Sequence, residues 1–150
     1  MFPGNTPRPP TLTEAADDLV RRLQAVAPAL GIDPSRVVLG EFGKGLPALA
    51  PWVYAFVLPG VSEVEEGGRI VTVRAEAAVY FGAAPAGSTA EAANRAVETA
   101  GQALAYLLEK QRRWSPPERP LALDSYDARL AVARLDLSCR CRLPDAPVPD

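Results

Sequence analysis

From Arg69 to Phe81 the chain reads RIVTVRAEAAVYF, with Val71, Val73, Ala75, Ala77, Val79 and Phe81 apolar and Thr72, Arg74 and Glu76 polar between them. Alternation of period two over this length predicts a long strand with one face on a core and the other toward water. A second alternating run, residues 128–143, closes the chain. It sets Ala131, Ala133, Leu135, Leu137, Cys139, Cys141 and Leu143 on one side and Arg134, Asp136, Ser138, Arg140 and Arg142 on the other. Trp52 to Leu58 (WVYAFVL) is apolar on both faces and is expected to close at Pro59-Gly60. A strand of that kind is central in its sheet or covered twice, by a helix or by another subunit. Residues 61–66 then lead through Gly67-Gly68 into the long strand, which is a hairpin signal with an acidic tip at Glu63, Glu65 and Glu66. Short strands are expected at 36–39 and 121–123, a turn at 124–127, and irregular chain at 40–51 (GEFGKGLPALAP).

Two segments carry the other period. Thr11 and Glu14 match a capping box, and Leu12, Ala16, Leu19, Leu23, Val26 and Leu30 follow at steps of four and three. Gly31 is the expected C-cap, with Pro28 placed to end the helix a turn sooner. Ser88 and Glu91 repeat the capping box ahead of Ala93, Val97, Ala100, Leu104 and Leu107, which predicts a helix from Thr89 to about Trp114. The alanines in its first half allow close approach to a sheet. Strands that follow one another without intervening helices predict an α+β domain. The expected architecture is an antiparallel or mixed sheet with a β-hairpin extension and two helices packed on one face.

Composition narrows the picture. At 150 residues the chain suits one domain with its own core. Ten of the sixteen prolines gather at the two ends and at 116–120, so residues 1–10 read as an extended arm, 11–143 as the domain and 144–150 as a tail. Such arms are either disordered or laid on a neighbouring subunit. A net charge of −2 gives no global field for nucleic acid or an anionic membrane. The N-terminus MFPGNTPRPP lacks the pattern of a secretory signal, which points to an intracellular protein.

Candidate chemistry is sparse. The chain has no histidine, the usual acid–base group near neutral pH. Lys44 lies in GEFGKG, but the P-loop needs a hydroxyl directly after its lysine and Gly45 stands there. Glu63, Glu65 and Glu66 are the only dense carboxylate cluster, on a hairpin poorly suited to hold catalytic geometry. Asp124 and Asp127 flank the expected turn, where aspartate is ordinary. Cys139 and Cys141 share a strand face and read as two buried thiols, the other reading being a metal half-site completed by a second subunit. No cofactor and no catalysis are expected. Arg134, Arg140 and Arg142 form a stripe expected to pair with Glu76 or Asp136, or with acidic groups of a partner. Aromatic residues such as Trp52 and Tyr54 are candidates for subunit contact, with burial in the monomer the competing reading.

The order of elements resembles the tail terminator proteins of long-tailed bacteriophages, including those of Mu-like prophages. The likeness is carried by TEAADDLVRRLQAVAPAL, PWVYAFVLPG, SEVEEGG, RIVTVRAEAAVYFGAAP and STAEAANRAVETAGQALAYLLE with the strands after it, about residues 11–143. It rests on order and texture, without a diagnostic motif. The resemblance implies a virion protein, assembled in the host cytoplasm, that forms a homo-oligomeric ring, hexameric in the family. Such a ring caps the tail tube protein and meets the head–tail connector, with strand edges pairing between subunits while genomic DNA passes without specific binding. It implies Glu63, Glu65 and Glu66 as channel-lining groups, and Trp52, Tyr54, Arg134, Arg140 and Arg142 at subunit or partner contacts. Sibling readings are another neck, tail-completion or tube-associated subunit; a separate one is a small ligand-binding module.

Overall fold

Thr11 opens the first helix, α1 (Leu12–Val26): its hydroxyl oxygen accepts from the Glu14 amide at 3.2 Å, and the Glu14 carboxylate accepts from the Thr11 amide at 3.4 Å. These reciprocal bonds satisfy amides that have no partner within a helix. Ala15, Ala16, Leu19, Leu23 and Val26 form its buried stripe. Proline cannot donate inside an α-helix, and the chain tightens at Pro28 into a 3-10 turn over Ala27–Leu30. Gly31 ends that turn at φ +74°, a left-handed conformation that glycine adopts without steric cost.

The computed structural model describes residues 8–40, 50–67, 70–84, 88–110, 113–126, 130–143, 147 and 149, and the side chains at 58–71 and 126 lie outside it. Lys44, Asp127, most of the expected irregular segment and most of both proline-rich ends are therefore outside the described residues.

Six strands form one mixed sheet: β1 (Val37–Leu39), β2 (Trp52–Gly67), β3 (Ile70–Ala83), β4 (Trp114–Ser115), β5 (Leu121–Tyr126) and β6 (Ala131–Arg142). Their order is β1-β2-β3-β6-β4, with β5 also on β6; β1 runs parallel to β2 and every other pair is antiparallel. A second helix, α2 (Thr89–Lys110), follows β3, and the Glu91 amide donates to the Ser88 hydroxyl at 3.2 Å. Both helices pack on one sheet face, over Val53, Ala55, Ala77, Val79, Phe81, Leu135 and Leu137. The fold is the expected α+β domain.

The centre of the buried α2 face is Ala92, Ala96, Ala100, Ala103 and Leu107, with Ala93, Val97 and Leu104 at its margin. The small side chains are thus the ones that meet the sheet. Three expectations about length change. α2 is described to Lys110 and does not reach Trp114, because Trp114 joins the sheet: it pairs with Cys139, and its indole N–H donates to the Ala15 carbonyl at 3.2 Å. β5 runs through Asp124 and Ser125 instead of turning there, accommodating them with a register shift between Leu123 and Ser125. β2 continues through Pro59-Gly60 to Gly67.

The last difference has a backbone cause. Gly40 donates to the Ala55 carbonyl at 2.7 Å, so the odd-numbered residues of β2 turn their backbone groups away from β3. Pro59 has the same parity, so its missing N–H removes no bond from the β2–β3 ladder, the position at which a strand tolerates proline. The hairpin is joined to the sheet for most of its length: β6 follows β3 down to Thr72, and only the pairs Glu66–Val71 and Gly67–Ile70 extend past it. At the same end Pro10 is buried, and its carbonyl accepts from the Arg142 amide at 2.9 Å, so the N-terminal segment meets the domain there.

Candidate assembly surface

With both helices on one side, the even-numbered residues of the central strands form a second sheet face. Register sets it out in rows: Trp52–Gly82–Val132, Tyr54–Tyr80–Arg134, Phe56–Ala78–Asp136, Gly60–Arg74–Arg140 and Thr72–Arg142, where, past a register shift in β2, Glu65 is the backbone partner of Thr72. The face is aromatic at one end and charged at the other. The doubly apolar run WVYAFVL resolves accordingly, with Val53, Ala55 and Val57 toward the helices and Trp52, Tyr54 and Phe56 on the second face.

Trp52 is 1% exposed. Its indole lies over Gly82, where an added Cβ would come within 2.3 Å of the ring system. It is used inside the chain and offers no surface for a neighbour. Tyr54 is half-buried; its ring centroid lies 5.9 Å from that of Trp52 and 5.8 Å from that of Phe56, while Phe56 meets Tyr80 edge-on at 5.7 Å. Edge-to-face contacts of this spacing add to what area burial provides. Phe56 and Tyr80 were not singled out from the sequence, although the spacing of Trp52, Tyr54 and Phe56 two residues apart carried the signal.

The three arginines differ. Arg134 donates to Asp136 at 2.7 Å and lies 5.8 Å from the Tyr80 ring centroid. Its pairing with Asp136 is the one expected. Arg142 reaches Glu14 at 3.5 Å, while its Nε is buried with no hydrogen-bond partner among the described residues. The Thr11 hydroxyl first, then the Thr11 amide and Arg142, hold the Glu14 carboxyl below its ordinary pKa. Arg140 is exposed and stands opposite Arg74. Like charges directly opposite in a sheet repel.

Glu63, Glu65 and Glu66 lie in β2, with their side chains outside the described residues. Register adds what the sequence lacked: Glu65 is opposite Thr72, which is opposite Arg142. The strand segment that carries the glutamates thus pairs toward the end of β6 that carries Arg142.

Cys139 and Cys141 are free, buried on the helix-facing side, and 3.9 Å apart between sulfurs. Their mutual hydrogen bond, then burial, pushes the Cys139 thiol far above its usual range, and the same bond holds Cys141 below it. Among the described residues no group of three or more histidine, cysteine, aspartate or glutamate side chains could hold a metal ion. A cleft of about 270 Å³ lies at the opposite end of the sheet, between Leu30, Ile32, Pro51, Phe81, Arg95 and Thr99.

The two sheet edges are unlike. On β6 the even-numbered residues face outward, and the chain itself serves them. β5 pairs at Val132 and Arg134, Pro120 accepts from the Asp136 amide, β4 pairs at Ser138, and Pro10 accepts from Arg142. β1 is three residues long, and its Val37 carbonyl accepts from Gln24 Nε2 at 3.1 Å. Past Ala55, the outer side of β2 has no partner strand among the described residues. No described helix is long and apolar enough to cross a membrane. No protein-family model and no curated protein sequence matches this chain.

Proposed function

We propose that this chain is a structural subunit of a long-tailed phage virion, a tail terminator whose ring caps the tail tube and joins it to the head connector. The observation that carries the reading is the element order: a capped helix, a long hairpin, a second capped helix and closing strands, with both helices on the same sheet face. That order is the feature on which the resemblance stated above rests. It also leaves the second face, with its half-buried aromatic residues and paired charges, for contact with other subunits. A closed ring needs two different surfaces on each copy, and the second face and the helix layer differ in this way. The proposed partners are further copies of the chain, the tube protein and the connector, with DNA passing through without specific contacts.

Sedimentation velocity and negative-stain imaging of the purified protein, alone and with tube protein, test the proposal. Rings of about six copies, formed alone or on tube ends, are expected. Particles that stay monomeric in both conditions would remove it. A ligand-binding module is the second reading, favoured by the cleft beside Arg95 and Thr99. It predicts a monomer or dimer whose melting temperature rises with a small apolar ligand.

A further inference from the structure

The outer side of β2 is the only long stretch of sheet edge without a partner strand among the described residues. Such an edge is a template for another chain. Here its backbone groups fall in an unusual sequence. The outward-facing positions past Ala55 are Val57 and Pro59, fixed by the parity of the Gly40–Ala55 bond. Val57 offers an amide, whereas Pro59 has none. Directly after it, between Gly60 and Val64, the register with β3 shifts, so the parity of the edge is not carried past that point. Glu63, Glu65 and Glu66 follow, three like charges within four residues. Each feature alone is a known way to blunt an edge: a proline, an irregularity, a run of charge. Between Ala55 and the shift at Gly60, Val57 therefore carries the one outward amide for an incoming strand. The opposite edge is plugged by β4, β5, Pro10 and Pro120, and β1 is short with Gln24 on its carbonyl.

We infer that the β2 edge is built to refuse a partner strand, so that copies of this chain meet through side chains and not by continuing the sheet. Pro59 is the central element. It sits at the one parity where proline costs the hairpin nothing and denies a neighbour its hydrogen bond. Edge pairing between subunits, which a ring would permit, is the arrangement this edge disfavours. The inference does not rest on the ring proposal, since in a monomer and in a ring held by side chains alike no neighbouring copy pairs with the Val57 amide.

The full-length protein is compared with Pro59→Val and with Pro117→Val, a substitution at an exposed loop proline. Each is followed by sedimentation velocity over a concentration series, by thioflavin fluorescence under agitation and by hydrogen exchange at Val57. Restoring the outward amide is expected to move self-association to about fivefold lower concentration and to protect the Val57 amide. Pro117→Val should behave like the unsubstituted chain. A folded Pro59→Val protein that associates no more readily would overturn the inference. So would protection of the Val57 amide in any oligomer of the unsubstituted protein, an observation that decides the matter even if Pro59→Val fails to fold.

Discussion

Gly82 shows how one residue holds the second sheet face together. It stands between Trp52 and Val132 in the same row, and the buried indole lies where a Cβ would be. Gly82→Ala therefore has to move a side chain that is 1% exposed, against a backbone held in two ladders. The expected loss is about 1–3 kcal/mol, the usual cost of overpacking. Gly101→Ala is the contrasting change. That glycine is inside α2, and its added Cβ would rest 3.7 Å from Leu121, an ordinary contact. It should gain about 0.5–1 kcal/mol, because alanine gives up less backbone freedom in a helix. Urea midpoints for the two variants, shifting in opposite directions, check both. Equal shifts would mean that Trp52 is free to relax away from Gly82.

At the scale of elements, α2 sits close to the sheet because its inner face is alanine at 92, 96, 100 and 103. Ala100 is fully buried, so Ala100→Leu must lift the helix or distort the strands, at about 1–3 kcal/mol. Ala105→Leu on the exposed side should change stability by less than about 0.5 kcal/mol. Chemical denaturation separates the two outcomes. These elements also show what the sequence made legible. α1, β3 and β6 were readable because each keeps one period from end to end and carries its own stop signals. The extent of β2 is hidden in its sequence, because a proline ends a strand only if its missing N–H was owed to a neighbour, and that depends on which side β3 lies. The end of α2 was misplaced for a similar reason: the fate of Trp114 is decided by Ala15 and Cys139, both distant along the chain. Trp52 was a candidate contact residue because its composition fits an interface. Only the position of Gly82 across the ladder shows that the indole has its place within the chain. The cysteine pair was legible, since i and i+2 positions on an alternating strand share a face.

For the whole molecule, the charge layout decides what a test of the acidic hairpin can mean. Arg74 stands opposite Arg140, and the neighbouring row runs Glu65–Thr72–Arg142. Glu65 belongs to this row by register, and Glu63 and Glu66 are its near neighbours along β2, so the charge of the cluster is set at the strand end that carries these arginines, where 0.1 M salt screens over roughly 10 Å. Replacing all three by lysine would turn three negative charges into positive ones at the strand end that pairs toward Arg142, before any DNA is involved. Stability of the isolated Glu63/Glu65/Glu66→Lys protein is expected to fall by about 1–2 kcal/mol in low salt and to recover as salt is raised. The triple glutamine variant should lose less and depend on salt more weakly. Under the ring proposal, virions carrying the glutamine variant then report on the channel: a subunit stable enough to assemble, but lacking the acidic lining, should slow DNA passage while rings still form. If the lysine variant is as stable as the parent in low salt, the glutamates do not offset these arginines. If virions carrying the glutamine variant also release DNA at the normal rate, the channel role fails as well, and the cluster is left with the task of keeping the β2 edge apart from other strands.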